Sequence, residues 1–215
     1  MNIAIILAAG TSKRLAGKTP KQFRKINNKL SILEMSVNTF RKNKLIKEII
    51  IVVQKNWVSK IKEKFKDCTI VIGGNTRSIS SYNGLNECSN KCKNVLIHDA
   101  ARPFVTQEII NKCIKKLDNY HAVIPMIDCS DSLLIKEIKE INYLDRDKIK
   151  LIQTPQGFNY KKIISAYKNN IVGTDDFSVL LKSGGKIKSI FIKSTKSNFK
   201  ITCESDLKIA RKISE

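Results

Sequence analysis

Histidine is the scarcest chemistry-bearing residue in this chain of 215: only His98 and His121 occur. The six cysteines (Cys68, Cys88, Cys92, Cys113, Cys129 and Cys203) never form a C-x-x-C pair. These two shortages exclude a zinc centre of the usual ligand spacing, and no Ser-His-Asp or Cys-His constellation suggests covalent catalysis. The thiols read as free, small core or helix-face residues of a reducing compartment. Aromatics are 7% of the chain and show no stacking pattern for single strands of nucleic acid. No apolar run approaches the roughly 18 residues of a membrane span. The N-terminus enters a strand directly, without a charged n-region, a cleavage site or a Ser- and Arg-rich transit segment. A cytoplasmic protein without a membrane partner is therefore expected. Repeats, low-complexity tracts and linkers are missing too, so residues 1–215 read as a single domain.

Acid is also short: 19 Asp and Glu stand against 40 Lys and Arg, a formal charge of +21. Such a balance suits a polyanionic partner, and a non-enzymatic RNA-binding role is the most distant alternative. The lysines are spread along the whole chain rather than gathered in one block. The excess therefore reads as compositional bias toward Lys, Asn and Ile, and no specific nucleic acid is expected.

What the chain does have is a stretch around which the rest is arranged. The apolar run 3–7 reads as a buried strand and empties into Ala8, Ala9 and Gly10, small enough for close approach of a ligand. Lys13, Arg14, Lys18 and Lys21 follow, and backbone N–H groups with converging cations make a phosphate site. A nucleoside triphosphate after the first strand is the expectation. Gly17-Lys18-Thr19 copies the end of a P-loop, but the first glycine of that motif falls on Ser12. Pro20 also biases Thr19 away from helix.

Further along, a strand is expected at 48–53, continuous and β-branched as in a sheet covered on both faces, and others at 69–72, 95–98, 122–127, 149–153 and 187–192. Helices are expected at 32–40 after Ser31, at 57–65, from 79, at 106–117 after Thr106, and at 160–167. Two more follow, at 175–182 capped by Thr174 and at 205–213 capped by Ser205. A second glycine turn, Gly73-Gly74-Asn75-Thr76-Arg77, and the Asp99 to Pro103 segment both follow strands, where open α/β sheets bind ligands. Residues 132–150 change pattern and read as a projecting hairpin, an arm at about 130–150. A hairpin buries little by itself, so packing against a second copy is expected. The alternation predicts an α/β, doubly wound fold.

Taken together, these motifs resemble the 2-C-methyl-D-erythritol 4-phosphate cytidylyltransferases, members of the sugar-phosphate nucleotidyltransferases. The matching stretches are residues 7–14 with Pro20-Lys21-Gln22, residues 73–77, VLIHDAARP at 95–103 and Asp145-Arg146. QTPQ at 153–156, Thr174-Asp175-Asp176 and residues 198–202 complete the set. The resemblance implies a Rossmann-like, mostly parallel sheet with a β-arm used for homodimerisation. It implies transfer of CMP from CTP, with Mg²⁺, to methylerythritol phosphate. Arg14, Lys21 and Lys200 become the catalytic cations. Ala8, Ala9, Gly10, Gly74, Asn75, Ser80 and Ala100 become the CTP site. Asp99, Arg102, Cys129, Arg146 and Thr154 become the acceptor site, with Arg146 reaching in from the neighbouring subunit. Asp99 is the candidate protein ligand for Mg²⁺, unless the triphosphate carries the metal alone. The sequence departs from the family at Ser12, Asn75 and Cys129, where Gly, Asp and Thr are usual. A sister enzyme acting on ribitol 5-phosphate is the nearer alternative.

Overall fold

The computed structural model of the chain describes residues 1–11, 19–138, 140–169 and 171–215. In chain order its main elements are β1 (Asn2–Ala8), α1 (Ile32–Arg41), β2 (Ile46–Val53), α2 (Val58–Lys64), β3 (Thr69–Ile72), α3 (Arg77–Asn86), β4 (Asn94–Asp99), α4 (Gln107–Lys116) and β5 (Ala122–Asp128). There follow β6 (Leu133–Lys136), β7 (Ile141–Leu144), β8 (Lys150–Ile152), β9 (Gln156–Asn159), α5 (Tyr160–Lys168), α6 (Asp176–Lys182), β10 (Ser189–Lys193) and α7 (Glu204–Ile213).

β1 shows why the fold is layered. Ile3 and Ile5 point to one face, Ala4 and Ile6 to the other, and all four are fully buried. A strand apolar on both sides needs cover on both. One face meets Leu33, Val37 and Phe40 of α1 and Ile109, Ile110 and Cys113 of α4. The other meets Leu85 of α3, Ile163 of α5 and Phe177, Val179 and Leu180 of α6. α1 begins where the sequence asks it to. Ser31 Oγ accepts from the Glu34 N–H, and the Glu34 carboxylate accepts from the Ser31 N–H at 2.9 Å, a reciprocal cap.

The sheet order is β10-β5-β9-β4-β1-β2-β3, with β8 also on β5. β4, β1, β2 and β3 run parallel, as do β5 and β10, while β9 runs antiparallel between β4 and β5. The doubly wound, mostly parallel fold is as expected. β9 is an addition: Gln156-Gly157-Phe158-Asn159 holds no β-branched residue, yet Phe158 is fully buried at the sheet's centre.

Two caps differ from the expectation. Asp175, not Thr174, caps α6: its carboxylate accepts from the Ser178 N–H at 2.8 Å and Ser178 Oγ accepts from its own N–H at 3.1 Å. α7 starts after Cys203, not Ser205. The Asp206 carboxylate takes the Thr202 and Cys203 N–H groups at 2.7 and 3.0 Å, and an ionised acceptor outcompetes a hydroxyl. In the arm region β6 and β7 form a separate two-stranded antiparallel hairpin.

Candidate active site

β1, β3 and β4 end at one edge of the sheet, and the loops leaving them border a cleft of about 660 Å³. The cleft is lined by residues 7–11 after β1, residues 72–77 with Ser80 after β3 and residues 99–101 after β4, together with Lys21, Gln22, Lys200 and Thr202. The side-chain amide of Gln22 donates to the carbonyls of Ala8 at 2.7 Å and Gly10 at 2.9 Å. This occupies two acceptors of a wall expected to meet anions.

The two glycine-bearing turns touch. A Cβ on Gly73 would lie 2.4 Å from the Ala9 Cβ, and one on Gly74 would lie 2.0 Å from Ile79 Cγ2. Ala9 and Gly73 are thus small on each other's account. Ser80 Oγ accepts from the Gly74 N–H at 3.1 Å and donates to the Thr76 carbonyl at 2.9 Å, closing the turn onto α3.

At the end of β4, Asp99 is nearly buried. Arg77 Nε lies 3.2 Å from its Oδ1 and Lys200 Nζ 2.6 Å from its Oδ2. Burial opposes ionisation of this carboxyl, but the charges of Arg77 and Lys200 outweigh it and hold the group well below the usual carboxylate range. Arg77 also reaches Asp176, its Nη2 lying 2.7 Å from Oδ2. Burial lowers the Arg102 guanidinium, and its Nη1 donates to the Asn198 carbonyl at 2.8 Å.

The segment carrying Lys200 is strapped from three sides. Ile201 N–H donates to the Ala101 carbonyl at 2.9 Å, Lys21 Nζ donates to the Ile201 carbonyl at 2.6 Å, and the Asn198 amide donates to Gln153 Oε1 and the Thr154 carbonyl, each at 2.9 Å.

A buried chain of hydrogen bonds backs Asp99. His98 Nε2 faces the Arg102 carbonyl at 3.1 Å, so that nitrogen carries the ring proton. Burial pushes His98 down to about 4, which leaves the ring neutral near pH 7. Nδ1 then accepts from the Thr154 hydroxyl at 3.1 Å, and Thr154 Oγ1 accepts from the Asp99 N–H at 3.1 Å.

The fold therefore brings Ala8, Ala9, Gly10, Lys21, Gly74, Asn75, Ser80, Asp99, Ala100 and Lys200 to one cleft. Thr154 is buried, bonded to the backbone of Asp99. Cys129 follows β5, with its thiol toward the Asp131 carbonyl at 3.6 Å. Arg146 stands exposed at the foot of the arm. Arg14 lies outside the described residues. Sequence reasoning passed over His98, Asn198 and the pairing of Arg77 with Asp99 and Asp176. The one signal for the last was that Arg77 and Asp176 sit in two of the recognised motifs.

Comparison with known proteins settles the family. The model for IspD, 2-C-methyl-D-erythritol 4-phosphate cytidylyltransferase, matches residues 2–215. The chain belongs to this family. It is 39% identical over 227 residues to 2-C-methyl-D-erythritol 4-phosphate cytidylyltransferase of Clostridium botulinum strain 657, covering 100% of this chain and 97% of that one. It is also 39% identical over 207 residues to the bifunctional IspD/IspF enzyme of Pelagibacter ubique; this takes in 95% of the chain but only 55% of that protein. The chain thus spans about half of that longer relative. Among solved structures, 4-diphosphocytidyl-2C-methyl-D-erythritol synthase from Anaerococcus prevotii superimposes with a TM-score of 0.87 at 28% identity, covering 99% of this chain and 95% of that one.

Proposed function

We propose that this chain transfers CMP from CTP to 2-C-methyl-D-erythritol 4-phosphate, forming the CDP-alcohol and releasing pyrophosphate, a step of non-mevalonate isoprenoid precursor synthesis. The observation that carries this reading is the family match over residues 2–215. The cleft supports it: cations and small-residue turns face one another at the strand ends.

An oxygen of the acceptor phosphate attacks the α-phosphorus of CTP in line. A new P–O bond forms as the bond to pyrophosphate breaks. A phosphate monoester with a second pKa of about 6 is largely ionised at neutral pH, so no general base is needed. The protein's work is to bring two anions together and stabilise the charge that builds on the α-phosphoryl and leaving oxygens. We assign that work to Lys21, Lys200 and Arg14. Ala8, Ala9, Gly10 and Ala100 would border the triphosphate, and Gly74, Asn75 and Ser80 would hold the cytosine. Asp99 and Arg102 would meet the acceptor alcohol, with Cys129, Thr154 and Arg146 around its phosphate.

Asp99 is the one acidic residue among the described residues lining the cleft, and no group of three metal-ligating side chains occurs among the described residues. A single carboxylate suits Mg²⁺ held chiefly by phosphate oxygens; both Asp99 oxygens face cations, so the donor set would fit with Oδ2 as the protein's contribution once Lys200, 2.6 Å away, turns to a phosphate. When bound, the ion supplies charge neutralisation on the triphosphate.

We also propose a homodimer through the arm, which would bring Arg146 to the cleft of the second copy. The exposed Leu134, Ile135, Ile141 and Tyr143 of the hairpin support it. A cytoplasmic location is proposed on the six unpaired thiols. Among the described residues no helix is long and apolar enough to cross a membrane.

The test is pyrophosphate release with Mg²⁺, each nucleoside triphosphate being paired with methylerythritol phosphate and with ribitol 5-phosphate. Release with CTP and methylerythritol phosphate is expected. Preference for ribitol 5-phosphate would replace the acceptor, and no release from folded protein would remove the activity.

A further inference from the structure

We propose that Arg77 and Asp176 are positioning residues for the transfer: they hold Asp99 so that Lys200 is free to leave it for the phosphates. This rests on the cytidylyl transfer proposed above.

The geometry runs in one direction. Asp176, in the first turn of α6, has a side chain with no solvent exposure. Tyr167 of α5 donates its hydroxyl to Asp176 Oδ1 at 2.6 Å, and Arg77 Nη2 sits 2.7 Å from Oδ2. Burial, and next the negative charge of Asp176, push the Tyr167 hydroxyl up, so it stays a donor. A guanidinium is a rigid plane. Fixing its Nη2 on Asp176 therefore fixes where Nε points, and Nε lies 3.2 Å from Asp99 Oδ1. α5 and α6, which pack behind the sheet, thus set the rotamer of a carboxylate inside the cleft.

Charge counting gives the pair its purpose. Around Asp99 stand Arg77, Arg102 and Lys200 against the carboxylates of Asp99 and Asp176. One positive charge is in excess. Lys200 is the member best placed to move, for its side chain is 36% exposed against 28% for Arg77 and 0% for Asp176. If Lys200 turns to a phosphate, the remaining four groups still balance, and no buried charge is left uncompensated. Without Arg77 they would not balance. Asp99 would retain Lys200, and the phosphates would lose it.

Loss of Arg77 should therefore imitate loss of Lys200. The experiment measures pyrophosphate release by wild type, Arg77→Ala, Asp176→Asn, Lys200→Ala and the double variant Arg77→Ala/Lys200→Ala, with CTP affinity taken separately by calorimetry. Arg77→Ala should lose about a hundredfold in kcat/KM for the acceptor, the scale of a misplaced reacting group, and Asp176→Asn about tenfold. CTP affinity of both should stay within about threefold of wild type. The double variant should be no worse than Lys200→Ala alone, and free guanidinium at tens of millimolar should restore turnover to Arg77→Ala but not to Lys200→Ala. If Arg77→Ala does not fold, Arg77→Lys carries the test: it keeps the charge balance but cannot bridge two carboxylates, and should show an acceptor-specific loss of about tenfold, smaller than that expected of Arg77→Ala. Additive losses in the double variant, CTP affinity falling in step with the acceptor parameter, or a folded Arg77 variant with wild-type kcat/KM would overturn the proposal while leaving the activity standing. A wild-type protein that releases no pyrophosphate would overturn both.

Discussion

At the cleft edge of the sheet, charged groups are buried and matched partner to partner: Asp176 with Tyr167 and Arg77, Asp99 with Arg77 and Lys200. On the β6–β7 hairpin the opposite holds. Apolar side chains stand in solvent, Tyr143 being 75% exposed and Ile141 62%. The cleft pairs its buried charges within one chain, though Arg102 Nε and Asn198 Oδ1 are left without a hydrogen bond, whereas the hairpin leaves apolar surface exposed. One region holds its geometry through internal ion pairs, the other leaves its apolar side chains in solvent.

The sharpest way to break the contrast is at Lys200. Lys200→Ala should lower the rate of pyrophosphate release by about 10²–10³-fold, the loss typical of one fixed donor at developing charge, with the hairpin unaffected. Next comes the contact of the two turns. Gly73→Ala forces a Cβ to 2.4 Å from Ala9, and overpacking of this kind costs about 1–3 kcal/mol. A lowered Tm in thermal denaturation and a raised KM for CTP should appear together. The proposed arm dimer predicts that Leu134→Asp with Tyr143→Asp halves the mass seen by sedimentation and raises the KM for the acceptor about tenfold, as Arg146 of the second copy is withdrawn. The Tm of the separated chain should change little, because these side chains bury little within it.

The smallest effect sits where the Lys200 segment enters α7. Burial opposes ionisation of Asp206, but hydrogen bonds from Thr202 and Cys203 hold its carboxyl down at about 2, against an ordinary 3.8. A depressed folded value means the contribution is present above the unfolded value and is lost as pH falls toward the folded one. Asp206→Asn should lower Tm near neutral pH by the equivalent of about 1 kcal/mol, as other helix caps do. That difference should close between about pH 4 and pH 2.

Much of the cleft was legible because its residues are clustered in sequence. Ala8 to Gly10 and Gly73 to Arg77 follow strands whose β-branched runs mark them plainly, and Asp99 ends one. The unread parts depend on distance along the chain. Arg77, Asp99, Asp176 and Lys200 meet only when α3, β4, α6 and the last loop are assembled, and no local pattern pairs an arginine with an aspartate 99 positions on. β9 was missed for a related reason. In Gln156-Gly157-Phe158-Asn159 the depleted Gly157 and Asn159 offset the one strand-favouring residue, Phe158, and pairing with β4 and β5 imposes the extended form. The caps at Asp175 and Cys203 were misplaced by one or two residues because adjacent Thr, Asp and Ser all qualify locally.

The path of the chain out of the arm has a mechanical side. β8, the arm's return, is separated from β9 by only Gln153, Thr154 and Pro155, and β9 is hydrogen-bonded along both edges. Tension on the hairpin alone would unzip β6 from β7 one bond at a time. Tension passing along β8 would instead load its antiparallel pairing with β5 in shear, then the bonds of Gln153, and only then Thr154, whose hydroxyl accepts from the backbone N–H of Asp99. The arm and the cleft are thus joined through β8 and three residues of chain.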